Sequence, residues 1–454
     1  MKKRRFDYSS AIELVQDANS RGIKLPWSDD LSILFEVTEL GRYEIPNRLV
    51  VHPMEGCDAC PEKGSPTKLT YRRYQRFAQG GAGIIWIEAT AVGPRGRSNP
   101  RQLWINKCSQ KDFARLVEVI RHGAADAKGC PQRPFVVLQL THSGRQSKPK
   151  PIITHHSQIL DAKDGLPKDY PLISDEELDE LESQFVAAAQ LAYESGFDAV
   201  DIKACHGYLI HELLFSYTRK DSRFGGSFKN RARFICDVVR RIKGELPDLV
   251  VVSRLNIYDG IPYPWGWGTR SDGSPDLTEP VELIRQLKAI GVALISIAVG
   301  NPYYNPHLER PYDFPIKGGY IPDEHPLMTV GRIINLTCRI HERVPELPLV
   351  GTGFSWLRQF WPHVAAGLVR NKCVEYVGVG RGALAYPSFA NELAHKGQLD
   401  PKKVCITCSS CSQMMKDGVQ VGCVIHDQDI YGPIYRSGRM KAQLSIAEEG
   451  EYGN

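Results

Sequence analysis

Short apolar, β-branched runs recur along this chain and predict buried strands. Turn residues bound each run, and most runs are continuously apolar, which is typical of parallel strands covered on both faces. The predicted strands are residues 49–51, 83–88, 135–140, 199–204, 250–256, 294–299, 347–351 and 374–379.

Segments with helical periodicity alternate with these strands. Ser174 and Glu177 form a capping-box pattern at the start of one segment, and Gly196 and Gly291 stand where C-terminal glycines belong. The predicted helices are residues 70–79, 110–126, 175–195, 229–244, 280–290, 326–343, 355–369 and 383–396.

Eight alternating strand and helix units predict an α/β protein, a (β/α)8 TIM barrel over residues 34–397. A doubly wound open sheet is the alternative. Residues 1–33 form a lead-in, a short N-terminal hairpin turns at Gly41, and residues 398–454 form a cysteine-rich C-terminal segment. Long insertions after the third, fifth and sixth strands would share the rim where substrate pockets form.

The composition is that of a globular protein with a sizeable core, 42% hydrophobic and 24% charged over 454 residues. The net charge of +5 is spread along the chain and favours no nucleic-acid partner. No apolar run reaches the roughly 18 residues of a membrane span, and none follows the basic residues 2–5 as in a secretory signal. We therefore expect a cytoplasmic protein whose eight scattered cysteines are small buried side chains rather than disulfides. A homo-oligomer stays open.

The other four cysteines lie within nineteen residues, at Cys405, Cys408, Cys411 and Cys423. Three thiolates on one tight loop and a fourth from a later turn suit a cubane iron–sulfur cluster. A structural zinc site, more often built from two separated pairs, is the alternative. We therefore predict that these four residues bind a [4Fe-4S] cluster.

Glycines follow the last two predicted strands and precede helices, at Gly351 and Gly353 after the seventh and at Gly380 after the eighth. Backbone amides at such turns, together with a helix N-terminus and Arg381, can bind a phosphate group. Ordinary turn glycines are the alternative for either motif alone. The pair favours the phosphate of a flavin mononucleotide or a sugar phosphate.

The fourth predicted strand ends by presenting Lys203, His206 and Tyr208 within six residues. A barrel enzyme builds its active site from such strand ends, and a surface turn with coincidental polar residues is the alternative. Gln139 and Arg254 interrupt two neighbouring apolar strands. Facing the barrel mouth, these two would hydrogen-bond the pyrimidine edge of a flavin, whereas satisfied core polar residues are the alternative.

Together these motifs resemble the old yellow enzyme family of flavin barrels, in the iron–sulfur branch typified by 2,4-dienoyl-CoA reductase and trimethylamine dehydrogenase. The resembling region runs from about Leu34 to about Cys423. The motifs are Asn47-Arg48-Leu-Val-Val-His-Pro53-Met54, His206-Gly207-Tyr208-Leu209, Arg219-Lys-Asp221-Ser-Arg223-Phe-Gly225-Gly226-Ser227 with Asn230-Arg231, Gly380-Arg381 and the four clustered cysteines.

The resemblance implies FMN bound non-covalently at the barrel mouth. Around the flavin ring and ribityl chain it places Pro53, Met54, Glu55, Ala89, Gln139 and Arg254, and around the phosphate Gly351, Gly353, Gly380 and Arg381.

The resemblance also implies an ene-reductase, in which flavin N5 delivers hydride to a C=C bond conjugated to a carbonyl. Tyr208 would donate the α-proton, and His206 would polarise the carbonyl. Lys203 stands where many relatives have histidine or another group. It would bind a substrate carboxylate, lower the pKa of Tyr208 by its charge, or point away.

Other functions stay open at this level. An amine dehydrogenase or demethylase, passing electrons from substrate through FMN to the cluster, is the alternative within the resemblance. A non-catalytic electron-transfer or scaffold subunit is the alternative outside it.

The source of electrons and the substrate are also open. The relatives carry nucleotide-binding domains beyond the cysteines, which we expect this chain to lack because 31 residues follow Cys423. NAD(P)H or a separate electron-transfer protein would then supply the electrons. The aromatic loops at 258–267 and 303–310 would line a pocket for a flat unsaturated carbonyl compound, or merely stiffen the rim.

Overall fold

The predicted barrel is present in the computed structural model, which describes residues 5–127 and 133–451, with side chains through residue 444. Eight parallel strands close upon themselves in chain order, and an antiparallel hairpin precedes them. The hairpin strands are β1 (Thr38–Leu40) and β2 (Tyr43–Ile45). The barrel strands are β3 (Leu49–Val51), β4 (Ile84–Ala91), β5 (Phe135–Thr141), β6 (Ala199–Ile202), β7 (Val250–Tyr258), β8 (Val292–Val299), β9 (Leu349–Gly351) and β10 (Tyr376–Val379).

Helices connect the strands and cover the outside of the barrel, and none in the described part of the chain is long and apolar enough to cross a membrane. They are α1 (Ala11–Ser20), α2 (Lys68–Gln79), α3 (Gln110–Ala125), α4 (Gln158–Asp164), α5 (Asp175–Glu194), α6 (Leu209–Leu214), α7 (Phe228–Arg231), α8 (Arg233–Glu245), α9 (Thr278–Ala289), α10 (Pro306–Glu309), α11 (Pro326–His341), α12 (Trp361–Arg370), α13 (Arg381–Ala385), α14 (Phe389–Lys396), α15 (Ser410–Lys416) and α16 (Gln428–Glu451). Short 3-10 helices lie at Ser32–Phe35, Pro94–Gly96, Gly144–Gln146 and Phe354–Phe360.

All eight predicted strands are confirmed, and the open-sheet alternative is wrong because β10 pairs with β3 to close the barrel. The capping box at the start of α5 is also confirmed. Three predicted helices are interrupted. The one at 383–396 breaks before Pro387, whose ring fixes the backbone and removes an N–H donor. The one at 355–369 begins as a 3-10 helix containing Arg358 at φ 49°, and the one at 229–244 breaks at Ala232.

The hairpin closes the amino-terminal end of the barrel. Leu40 and Ile45 pack against inward-facing apolar side chains of the strands, among them Trp86 and Tyr376, both fully buried. Thr38 of the hairpin also hydrogen-bonds Tyr376 through side-chain oxygens 2.8 Å apart. These apolar side chains fill the amino-terminal end of the barrel. The polar groups of the barrel interior therefore lie toward the carboxyl ends of the strands.

The scattered cysteines differ from the expectation that all are free, buried thiols. Cys338 of α11 and Cys373 after α12 form a disulfide. Among the others, Cys57, Cys205 and Cys236 are buried, Cys60 and Cys108 reach the surface, and Cys130 lies outside the described residues.

A buried arginine anchors the loop that follows β3. Arg73 of α2 donates to both carboxylate oxygens of Asp58, at 2.6 and 3.2 Å, and also to Glu88 of β4. Glu88 in turn accepts the backbone N–H of Gly56. Burial raises the pKa of Glu88 against the opposing charge of Arg73. The loop is therefore held by a buried ionic group in which Arg73 balances the carboxylates of Asp58 and Glu88.

We expect Arg73→Met to lower the free energy of unfolding by about 3–5 kcal/mol, because it leaves two buried carboxylates without their cation. Arg76→Met on the same helix is the matched control, since Arg76 is one-third exposed and pairs with Asp427 near the surface. Its loss should cost less than about 1 kcal/mol. Urea titration followed by circular dichroism measures both, and equal losses would contradict the assignment.

Candidate active site

The chain leaves β6 through a left-handed turn. His206 has φ 65° and Gly207 has φ 70°, and the Gly207 N–H donates to Nδ1 of His211 at 2.9 Å. A Cβ at Gly207 would lie 2.7 Å from Nδ2 of Asn301, so glycine is required there. A left-handed histidine stores strain, which proteins keep mainly at functional sites. This turn points His206 and Tyr208 toward the barrel mouth.

The ends of β3 and β6 bring Tyr208, Lys203 and Glu55 into contact. Tyr208 Oη donates to Glu55 Oε1 at 2.7 Å, and Lys203 Nζ lies 3.7 Å from the same oxygen. The Lys203 ammonium also sits 3.6 Å from the centre of the Tyr208 ring, a cation–π distance. Tyr303, after β8, completes the group with its hydroxyl 3.2 Å from Tyr208 Oη. Lys203 therefore points into the site, which excludes the alternative that it points away.

Burial sets the protonation of this group. Burial and the nearby Glu55 carboxylate raise the pKa of Tyr208 well above its ordinary value. The alternative that the charge of Lys203 lowers the pKa of Tyr208 stays a prediction, because desolvation and Glu55 dominate the shift. Burial also lowers the pKa of Lys203, although Glu55 opposes that shift.

His206 lies beside a second carboxylate. Its Nε2 is 3.2 Å from Oε1 of Glu309 but is not aligned for a hydrogen bond. Burial, and then the charges of Arg254 and Lys203, lower the pKa of His206 well below its ordinary value, so the imidazole is neutral. A neutral imidazole retains one N–H, which can donate to a carbonyl oxygen.

The two predicted aromatic loops have different roles. Tyr303 and Glu309 of the loop at 303–310 both reach the site. Trp267 of the other loop is fully buried, and its indole N–H donates to the Asn256 carbonyl at 2.8 Å. The rim-stiffening alternative therefore describes Trp267.

Asp201 organises the polar interior just below the mouth. Its carboxylate accepts from Trp86 Nε1 at 2.9 Å, Gln139 Nε2 at 2.6 Å and the Arg254 backbone N–H at 2.7 Å. Burial raises the pKa of Asp201 to about 6, against these hydrogen bonds. Nε of Arg254 is buried without a hydrogen-bond partner among the described residues. Gln139 is thus fixed in place, and Arg254 retains a donor for a ligand.

The glycine turn after β10 lies beside the segment that follows β3. A Cβ at Gly380 would lie 2.7 Å from Sδ of Met54, and Gly353 has φ 90°. Of the other predicted contacts, Gly351 ends β9, Pro53 is buried, and the Ala89 carbonyl accepts from Gln102 at 3.1 Å.

Arg381, a predicted phosphate contact, is partly held by the protein backbone. Its Nη2 donates to the Pro311 carbonyl at 2.8 Å, whereas Nη1 is buried without a partner in the described structure. Its side chain forms part of the wall of a cavity at the four clustered cysteines. Arg381 therefore stands between the end of β10 and the cysteine segment.

The cysteine cavity has an empty volume of about 370 Å³, its opening to solvent included. Burial raises the pKa of Cys405 to about 12 and of Cys423 to about 11. It also raises that of Cys411, while Arg381 opposes the shift at Cys405 and Cys411. Across the described residues, no three His, Cys, Asp or Glu side chains are close enough to hold a metal ion. The cavity lining is Arg381, Leu384, Cys405, Ile406, Thr407, Cys408, Ser409, Ser410, Cys411, Cys423, Val424, Ile425 and His426.

These residues fit a polynuclear cluster by their chemistry. Four thiols from one loop and a later turn line a single cavity, and a buried arginine adds positive charge beside them. Buried thiols with raised pKa values ionise when a metal centre replaces their protons.

A closed (β/α)8 barrel that gathers ionisable side chains at the carboxyl ends of its strands has the architecture of a barrel enzyme. The family model for the NADH:flavin oxidoreductase / NADH oxidase family matches residues 33–301, more than half of the chain. The chain belongs to this family, and it is a flavin-dependent oxidoreductase of the old yellow enzyme type.

Two curated relatives illustrate the extent of the match. An NADPH dehydrogenase of Listeria monocytogenes is 29% identical over 273 residues, covering 60% of this chain and 74% of the relative. An NADH oxidase of Thermoanaerobacter brockii is 26% identical over 433 residues, covering 92% of this chain and 57% of the relative.

Solved structures share the fold. A 2-naphthoyl-CoA reductase in complex with 2-naphthoyl-CoA superposes with a TM-score of 0.66 at 20% identity, over 85% of this chain and 55% of that one. The histamine dehydrogenase of Rhizobium sp. 4-9 has a TM-score of 0.62 at 20% identity, over 86% and 52%. This chain therefore spans about half the length of both proteins.

Two contacts of the site have no signal in the sequence. Glu55 and Tyr208 are 153 residues apart, and Glu309 is 103 residues beyond His206. Only the barrel closure brings these pairs together.

We expect Arg254→Met to weaken FMN binding roughly 10- to 100-fold, because the predicted charged donor to the flavin is removed. Flavin fluorescence on titration of the apoprotein with FMN measures the dissociation constant. Arg240→Met is the control, since Arg240 is exposed on α8. An unchanged dissociation constant for Arg254→Met would contradict the proposed flavin contact.

Proposed function

We propose that this protein is an FMN- and [4Fe-4S]-dependent ene-reductase that reduces a C=C bond conjugated to a carbonyl. The observation that carries the proposal is the contact group at the mouth. Lys203, His206 and Tyr208 leave one strand and meet carboxylates from two others, all within a buried site.

The residues at the mouth suit FMN. Buried Arg254 Nε and Thr141 Oγ1 lack partners among the described residues, as expected of groups that bind a ligand. Gln139 and Arg254 would hold the flavin ring, and the turns at Gly353 and Gly380 would hold its phosphate. When bound, FMN supplies the hydride that it receives from NAD(P)H.

The chain's own residues bind and protonate the substrate. The N–H of neutral His206 and the Lys203 ammonium would donate to the substrate carbonyl oxygen, stabilising the enolate-like charge of the transition state. Tyr208 would hold the proton at Oη that is transferred to the α-carbon. The burial of Lys203 and Tyr208 strengthens these interactions by excluding water.

The cysteine segment extends this function to electron transfer. Cys405, Cys408, Cys411 and Cys423 would bind the [4Fe-4S] cluster, and the cluster would exchange electrons with a separate protein. Direct reduction of the flavin by NAD(P)H is the other route, in keeping with the names of the curated relatives.

A second candidate function is amine dehydrogenation. One observation favours it, which is that Tyr208 donates to the Glu55 carboxylate. This contact makes the Tyr208 phenol a poorer acid, and it makes Tyr208 and Glu55 together a better proton acceptor. In this direction the site would remove a proton from the substrate, and electrons would leave through the cluster.

We expect the wild-type protein, purified anaerobically, to reduce enones or enoates, and Tyr208→Phe to slow that step roughly 10²- to 10⁴-fold through loss of the general acid. Rapid-mixing absorbance of the flavin separates this step from reduction by NAD(P)H, which should not change. Tyr193→Phe, at an exposed position, is the control. Flavin reduction by amines, with no turnover of enones, would favour the second candidate instead.

We expect Cys408→Ser to lose most of the bound iron while it retains FMN, because one of four cluster thiolates is removed. Iron, sulfide and zinc analysis of the purified protein measures this, with exposed Cys108→Ser as the control. Stoichiometric zinc without iron in the wild type would overturn the iron–sulfur assignment.

A further inference from the structure

We propose that Glu55 is a catalytic residue that exchanges the proton of the reaction with Tyr208, and that Lys203 is the counter-ion of this exchange. This inference rests on the proposed function and changes the predicted role of Glu55 from flavin contact to proton carrier.

The geometry puts Glu55 Oε1 between a phenol and an ammonium group. Tyr208 Oη is 2.7 Å away and Lys203 Nζ is 3.7 Å away. An oxygen–oxygen separation of 2.7 Å is a well-formed O–H···O hydrogen bond, along which a proton can move in either direction. The carboxyl group therefore contacts the proposed proton donor directly.

A lone Tyr208 would be a poor acid in this site. After giving up its proton it would be a buried phenolate beside a carboxylate, and two like charges in contact are strongly disfavoured. The raised pKa of Tyr208 reflects this cost. If Glu55 first takes up a proton from water and passes it to Tyr208 as Tyr208 reacts, no second negative charge remains.

In the reductive direction, the O–H bond of Tyr208 breaks as a C–H bond forms at the substrate α-carbon. The O–H bond of Tyr208 re-forms with a proton that the Glu55 carboxylate has first taken up from water, and the Glu55 O–H bond breaks in that transfer. The carboxylate that remains is paired with the Lys203 ammonium. The matching hydride at the β-carbon comes from NAD(P)H through the flavin, and amine oxidation would run the proton in the opposite direction.

The other carboxyl oxygen of Glu55 leads toward solvent. Ser98 Oγ donates to Glu55 Oε2 at 3.3 Å, and Asn99 Nδ2 donates to Ser98 Oγ at 3.2 Å. Both residues are partly exposed. A proton from water can therefore reach Glu55 on the side opposite to Tyr208.

The test compares Glu55→Gln, Tyr208→Phe and the double variant, as FMN-loaded full-length protein, with the enone or amine that the wild type turns over. We expect Glu55→Gln to keep its FMN and its rate of flavin reduction by NAD(P)H, but to slow the substrate proton-transfer step roughly 10²-fold or more. The double variant should be no slower than Tyr208→Phe, because Glu55 acts through Tyr208. Glu55→Asp, which keeps a carboxyl group, should recover part of the rate.

Four outcomes would overturn the inference. Glu55→Gln that behaves like the control Glu39→Gln, at an exposed position of β1, overturns the inference. The inference is also overturned if the rate losses of the two single variants multiply in the double variant. Loss of FMN from Glu55→Gln would overturn it as well, because Glu55 would then be a flavin contact. Wild-type protein that turns over neither enones nor amines overturns the proposed function, and the inference with it.

Discussion

The ionic contact of Arg73 with the carboxylates around it holds the segment after β3, and the site depends on that hold. Glu88 shares Arg73 and accepts the Gly56 N–H, while the Gly56 carbonyl accepts from Val421 at 2.7 Å. Gly56 thus links the Glu55 segment to Glu88 through its N–H and to the cysteine segment through its carbonyl. Because a buried arginine and its carboxylates are stable only together, this loop is rigid where the chemistry needs it to be.

Burial creates the reactivity of the site, and charge pairing controls it. Desolvation lowers the pKa of Lys203 and raises that of Tyr208. The Glu55 carboxylate opposes the shift at Lys203 and adds to the shift at Tyr208. His206, with two cations nearby, stays neutral. The result is a buried group of one cation, one carboxyl and two neutral donors, an arrangement suited to moving a proton without leaving an unpaired charge.

Arg381 couples the flavin end of the barrel to the cysteine segment. It begins α13 directly after β10, where a flavin phosphate is expected, yet its guanidinium lines the cysteine cavity. The family match ends at residue 301, whereas the likeness to the Thermoanaerobacter brockii NADH oxidase covers 92% of this chain. The barrel and the proposed electron-transfer segment therefore meet at Arg381, as they also do at Gly56 and Val421.

The sequence by itself determined the barrel, because strand and helix periods are local and repeat eight times, and it placed Lys203, His206 and Tyr208 at one strand end. It predicted neither the helix interruptions at Pro387 and Arg358 nor the disulfide between Cys338 and Cys373. The tertiary structure alone decided what each strand end meets. Glu55 reaches Tyr208 only because β3 and β6 aim at one mouth, and no local pattern records a contact between residues 153 positions apart.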